Sequence, residues 1–165
     1  MPSIDAHGIV ASPPKGWDGE IYQRDPEMPG TNAGPLDHTT NVADLPMPIL
    51  HLANFALPRE RGDYGGGAVE SMGSGGVFIS LLEHTADEGR TALFAPHDPP
   101  WPLSGDSFGP NRLQRMIANH AGHQSFFTTQ GRAFCLYVVI GSYRMRNALA
   151  EVANEPLQKL EIKPR

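Results

Sequence analysis

The chain has 165 residues, a length that suits one domain large enough to bury a core without disulfide or metal staples. A formal net charge of −5 argues against a nucleic-acid partner, which calls for a basic face, and the longest local basic cluster is only Arg144 with Arg146. A hydrophobic fraction of 39% with 18 glycines and 16 prolines describes a folded core carrying long irregular loops rather than a disordered chain.

The opening MPSIDAHGIVASPPKGWDGE lacks the charged and apolar regions of a signal peptide. The longest continuous apolar run, 133–140, is far short of a membrane span, so a cytoplasmic location is expected. In chain order, short strands are expected over 7–11 and 20–24, around the turn PPKGWDG. A proline-rich loop fills 25–48, and longer strands follow at 49–57 and 77–83 with the glycine-rich stretch 61–76 between them. After a turn at Asp87-Glu88-Gly89, the segment RTALFA (90–95) reads as another strand, followed by a second proline-rich loop over 95–110.

A short helix is expected over 110–120. Pro110 suits its first position, Leu113, Met116, Ile117 and His120 recur at helical spacing, and Gly122 suits its exit. The clearest hairpin pairs HQSFFTTQ with RAFCLYVVIG and turns near Gln130-Gly131; its second arm reads as a central strand covered on both faces. The lone cysteine, Cys135, lies inside that arm as a buried small hydrophobe, and no intrachain disulfide is open to it. A final helix carries the stripe Leu149, Val152, Ala153, Leu157 and Leu160, with Pro156 expected to kink it or end it at Glu155. The pattern predicts a single α+β domain over 1–165. Its centre is an antiparallel sheet of about six to seven strands, with the C-terminal helix and the second short helix packed on it.

The glycine-rich stretch RGDYGGGAVESMGSGGVFIS invites a phosphate-loop reading, and spacing removes it. No Gly-Lys pair exists for a Walker loop. The dinucleotide pattern fails at Glu70 when counted from Gly65 and at Phe78 when counted from Gly73. A strand rather than a helix follows Gly76, so the glycines read as positive-φ turn residues. Met72 stands where a nucleophile elbow around Ser74 needs glycine. Arg61-Gly62-Asp63 matches an adhesion tripeptide of little specificity.

Seven histidines remain. His120 and His123 sit three apart, but Gly122 interrupts them and no carboxylate or thiol completes a zinc spacing, so no metal or other cofactor is expected. His51 in its strand, beside Asn54, and His84 after Glu83 are the candidate general bases of a hydrolase or lyase, with Glu83 as the carboxylate; Asp63 and Glu70 stand on the same footing. Trp17, Tyr64, Trp101 and Phe108 fall in turns and loops, where an aromatic either anchors a partner or folds back over the core.

The phrases LHLANFALPRERGDYGGGAV and GRAFCLYVVIGS resemble segments of uncharacterised actinobacterial proteins of similar length. The order of elements is similar to the PsbP-type sheet-and-helix sandwich: an early P-x-GW turn, meandering strands, an aromatic strand ending in glycine and a helix finishing in LQKLEI. That second resemblance implies a non-catalytic accessory protein that binds a larger protein partner. With catalytic motifs absent and loop aromatics present, an interaction or accessory role is the first expectation, and a homo-oligomer is compatible with it. A histidine–carboxylate hydrolase or lyase and a small-ligand carrier with a pocket between sheet and helix are the alternatives.

Overall fold

In the computed structural model, which describes residues 3–23 and 47–165, the chain is α+β with two antiparallel sheets. The smaller sheet pairs β1 (Ile4–Ala6), β2 (Ile9–Ala11) and β8 (Glu161–Ile162) in the order β1-β2-β8. The larger contains β3 (Asp18–Gln23), β4 (Pro48–Ala53), β5 (Val77–His84), β6 (Ala121–Thr129) and β7 (Arg132–Ile140), in the order β3-β4-β5-β7-β6. The helices are α1 (Ala68–Ser71) and α2 (Arg146–Leu157).

The single central sheet expected from the sequence is therefore divided, and the reason is local. His7 and Gly8 both take positive φ, 53° and 78°, and make a two-residue hairpin turn inside what reads as one strand over 7–11. Beyond it, PPKGWDG does not fold β2 back onto β3. Trp17 N–H closes a turn on the Pro14 carbonyl, and the chain passes from one sheet to the other.

Both faces of the larger sheet are covered, so β4 and β7 are buried along their whole length and β5 up to Glu83. On one face Leu50, Leu52, Ile79, Leu81, Leu136 and Val138 pack with Leu149, Ala153 and Leu157 of α2 and with Ile9 of the small sheet. On the other, Ala53, Phe78 and Val139 meet Ala68, Val69 and Met72 of α1 and its flank. Gly65 sits where chain and ring touch: its φ is 83°, and a Cβ there would stand 2.5 Å from the Phe78 ring. Positive φ at Gly65 and Gly67 agrees with the turn role expected of these glycines.

Three expected elements take other forms. The 110–120 segment is not helical. An antiparallel bridge between Gly109 and Gly122 draws its ends together, and Asn119 adopts φ 71°. Leu113 and Ile117 pack beneath this loop beside Tyr137 while Met116 stays 70% exposed, so the apolar spacing is met without a helix. The second helix lies instead at α1, within the glycine-rich stretch. RTALFA is no strand: short 3-10 turns at Glu88–Arg90 and Ala92–Phe94 bury only Phe94. Helix α2 runs through Pro156 to Leu157 rather than ending at Glu155; the proline, one residue from the helix's end, leaves the Val152 carbonyl without its i+4 donor. Residues 25–46 of the first proline-rich loop lie outside the described residues.

The two sheets are tied by Arg132. Its Nε and Nη2 donate to Glu83 at 3.1 and 2.6 Å. Nη1 donates to the Gly8 and Lys163 carbonyls and Nη2 also to that of His7. Arg165 donates to the same Glu83 carboxylate at 3.3 and 2.8 Å. Arg132 and Glu83 side chains are each 2% exposed, so removing one partner strands a charge. Arg132→Met is expected to lower the unfolding free energy by about 3–5 kcal/mol in urea titration. Adding Glu83→Leu is expected to restore only part of that loss, since the His7 and Lys163 carbonyls remain without the guanidinium.

Candidate functional site

The register of the larger sheet lines up polar residues across all five of its strands. Glu20 opposes His51, His51 opposes Ser80, Ser80 opposes Tyr137, and Tyr137 opposes Gln124. The glycine-rich segment lies over this row. The Asp63 carbonyl accepts from His51 Nε2 at 2.9 Å and from Ser80 Oγ at 2.7 Å, and the Asp63 carboxylate accepts from Tyr22 Oη at 2.9 Å. Arg61 Nε donates to His51 Nδ1 at 2.8 Å while its Nη2 pairs with Glu20. Tyr64 packs edge-on to Tyr137, whose hydroxyl accepts from Gln114 N–H at 2.8 Å.

These partners settle the protonation of His51. A guanidinium can only donate, so Nδ1 is an acceptor; a carbonyl can only accept, so Nε2 carries the proton. Burial, with Arg61 beside the ring, lowers the His51 pKa to about 4 against the opposing pull of the Asp63 carbonyl. Burial and the Asp63 carboxylate push the Tyr22 hydroxyl well above its ordinary range. Both nitrogens of His51 are thus committed to holding loop to sheet.

The other sequence candidates do not join it. Glu83 and His84 are adjacent on β5 and face opposite sides of the sheet, Glu83 away from His51 and onto Arg132. His84 lies among Phe94 and Phe126, with Nδ1 3.5 Å from Glu88. Glu70 pairs with Arg115. His123 gives its Nδ1 proton to the Ser107 carbonyl at 3.1 Å and meets Ser125 Oγ through Nε2 at 2.9 Å. Burial and nearby Arg112 hold its pKa below the usual histidine value. Among the described residues no group of three His, Cys, Asp or Glu side chains is placed to hold a metal.

The loop aromatics turn inward. Trp17 and Phe108 are 7% and 4% exposed and belong to the core under α2. Trp101 is half-buried, edge-on to Phe127 at 5.6 Å between ring centres. Tyr64 lines a cleft of about 260 Å³ with Val69, Ile117 and Tyr137. Two of the four therefore offer a partner almost no surface. Among the described residues the exposed large apolar side chains are Leu93, Met116, Tyr143 and Met145, none of which the sequence reading named as a partner anchor.

A larger cleft, about 790 Å³, opens where the end of β7 meets the 110–120 loop and the 73–75 turn. Gly141 permits this junction: a Cβ there would fall 1.9 Å from the Gly73 carbonyl oxygen. Tyr143 N–H donates to the Asn119 carbonyl at 2.7 Å and fixes one wall to the other. Ser74, Asn119, His120 and Ser142 bring polar groups to the lining, Tyr143 and Arg144 stand at its edge, and no carboxylate or thiol contributes. His120 is 7% exposed. Its Nε2 lies 3.3 Å from the Val69 carbonyl, an acceptor, which leaves Nδ1 as a buried lone pair without a partner.

The lowered pKa of His51 has a sign that can be measured. An unfolded histidine binds its proton near pH 6.5, before the folded one does, so stability falls as pH drops from about 6.5 to about 4 and levels off below. His51 is expected to contribute at most about 1.4 kcal/mol per pH unit to that slope. His51→Gln is expected to flatten that segment of the stability–pH curve, whatever its effect at neutral pH; an unchanged slope would rule out a neutral buried imidazole. Comparison of the chain with protein-family models, curated proteins and solved structures found no match.

Proposed function

We propose that this is a non-catalytic binding protein that takes a small polar molecule into the cleft beside His120. One observation carries the reading: a cleft of about 790 Å³ brings Ser74, Asn119, His120, Ser142 and Arg144 to one lining. A concave site on which several polar side chains converge offers a small molecule both enclosure and hydrogen-bond partners. The absence of any carboxylate in the lining leaves His120 without the partner that orients a general base. The hydrolase or lyase alternative loses its leading base as well, since His51 is bonded at both nitrogens.

Exposed Tyr143 and Met145 favour a second reading in which a protein partner docks at the rim of the same cleft. It agrees with the accessory role implied by the resemblance to PsbP-type proteins.

An NMR screen of a small polar fragment library against the ¹⁵N-labelled chain tests the first reading. Binders are expected to shift the amides of Asn119 and 141–144, and His120→Phe is expected to weaken them at least tenfold while the remaining spectrum persists. A library without binders, or binders that map to the smaller Tyr64–Tyr137 cleft, would overturn it.

A further inference from the structure

The His51 fastening holds only while the imidazole is neutral. Nδ1 accepts from Arg61 Nε at 2.8 Å and Nε2 donates to the Asp63 carbonyl at 2.9 Å, so the ring has one acceptor and it is in use. A proton added at Nδ1 turns two N–H donors toward each other. It also sets an imidazolium against a guanidinium at a side chain that is fully buried. Around the ring, β3 contributes Glu20 and Tyr22, the 61–67 segment contributes Arg61 and Asp63, and β5 contributes Ser80 and Phe78, neither of which ionises. Glu20, opposite His51 in the sheet register, is the carboxylate that Arg61 already holds, and the Asp63 carboxylate accepts from the Tyr22 hydroxyl.

The 61–67 segment is the part of this face best able to move. Four of its seven residues are glycine, so little side-chain surface holds it to the sheet. Its flanks are anchored independently of His51: the Leu57 N–H donates to the Asp18 carboxylate at 2.9 Å, and Ala68 and Val69 are buried in the core. Beneath it, β4, β5 and β7 pair along their lengths without any contribution from the segment. Lifting the segment therefore breaks far fewer contacts than unfolding the sheet.

We propose that His51 is an acid-operated catch: when Nδ1 takes a proton, Glu20 accepts the new Nδ1–H, Arg61 is displaced, and the 61–67 segment lifts from the sheet. Burial and the guanidinium lower the pKa of the imidazole to about 4, which puts the release in acid rather than near neutrality. Gly62, Asp63, Tyr64 and Gly66 form one wall of the smaller cleft, so the release dismantles that cleft. None of these residues lines the larger cleft, and the catch stands or falls apart from the ligand reading proposed above.

Amide hydrogen exchange by NMR at pH about 7 and about 3.5, with each rate divided by the intrinsic rate at that pH, tests the catch. The reporters are the Gly62 and Gly65 amides, which donate to the Gly66 and Gly62 carbonyls. Both are expected to be protected near neutrality and to exchange within about fivefold of the unprotected rate in acid, while β5 and β7 amides stay protected more than about a hundredfold. His51→Gln can accept from Arg61 and donate to Asp63 without titrating, and is expected to keep both reporters protected at least about tenfold in acid. Arg61→Met removes the opposing donor and keeps the imidazole, so its reporters are expected to change less than about threefold between the two pH values. Reporters that stay protected in the unmodified chain would overturn the proposal, as would loss of β5 and β7 protection to the same level, which means global unfolding. Acid release in either variant as complete as in the unmodified chain would assign the trigger to other groups and overturn it too.

Discussion

The two-sheet arrangement depends on one guanidinium. The small sheet buries Ile9 and Ala11 against the core yet has only three short strands, too little to hold itself together alone. Arg132 stands at the start of β7 and reaches across to the carbonyls of His7, Gly8 and Lys163, that is, to the β1–β2 turn and to the strand end beyond β8. A point charge on a flexible stem would not do this. Arg132 uses Nε and both terminal nitrogens at once, and the planar fork fixes their directions. Glu83 balances the charge and receives Arg165 from its other side, so sequence-distant parts of the chain converge on one carboxylate.

A second polar centre does for the opposite face what Arg132 does for the first. Glycine-rich chain has little side-chain surface with which to pack, so something must hold 61–67 over the sheet. The Asp63 carbonyl supplies it by accepting from His51 and Ser80, which are cross-strand neighbours on β4 and β5. Arg61 then closes the arrangement onto Glu20. The imidazole that most resembled a catalytic base is neutral because it is a fastener. Its depressed pKa follows from burial and a neighbouring guanidinium, the same physics that tunes active-site histidines, here directed to loop attachment.

Much of the sheet was legible in the sequence. Apolar runs in β4, β5 and β7 admit little besides strands covered on both sides, and the turn at Gln130-Gly131 marks its hairpin by composition. The 110–120 segment shows how periodicity misleads. Leu113 and Ile117 need the core, but the Gly109–Gly122 bridge and the Gln114–Tyr137 hydrogen bond satisfy the backbone in another form. The short helix α1 leaves almost no periodic signal over four residues. Histidines could be named and not placed. His51, Glu83 and His84 looked like one group, and strand alternation sends Glu83 and His84 to opposite faces, a separation that period-two reasoning would have shown. The cleft was out of reach, since His120 and Arg144 line it together only because β6 and β7 pair along their full length.

Local inconsistency is what distinguishes that cleft from the two polar centres. Around Arg132 and around His51, donors and acceptors answer one another, and the arginines have carboxylates. His84 also has an unpartnered nitrogen, but it is enclosed by Phe94 and Phe126 and borders no cleft described here. Near the end of β7 two departures occur: the buried His120 Nδ1 has no partner, and the start of α2 has neither a side-chain cap nor an acidic residue in its first turn. Each is tolerable alone at a cost of about 1 kcal/mol or more. The chain bears both costs at this end of the sheet, whereas around Arg132 and His51 the polar groups are answered within the fold.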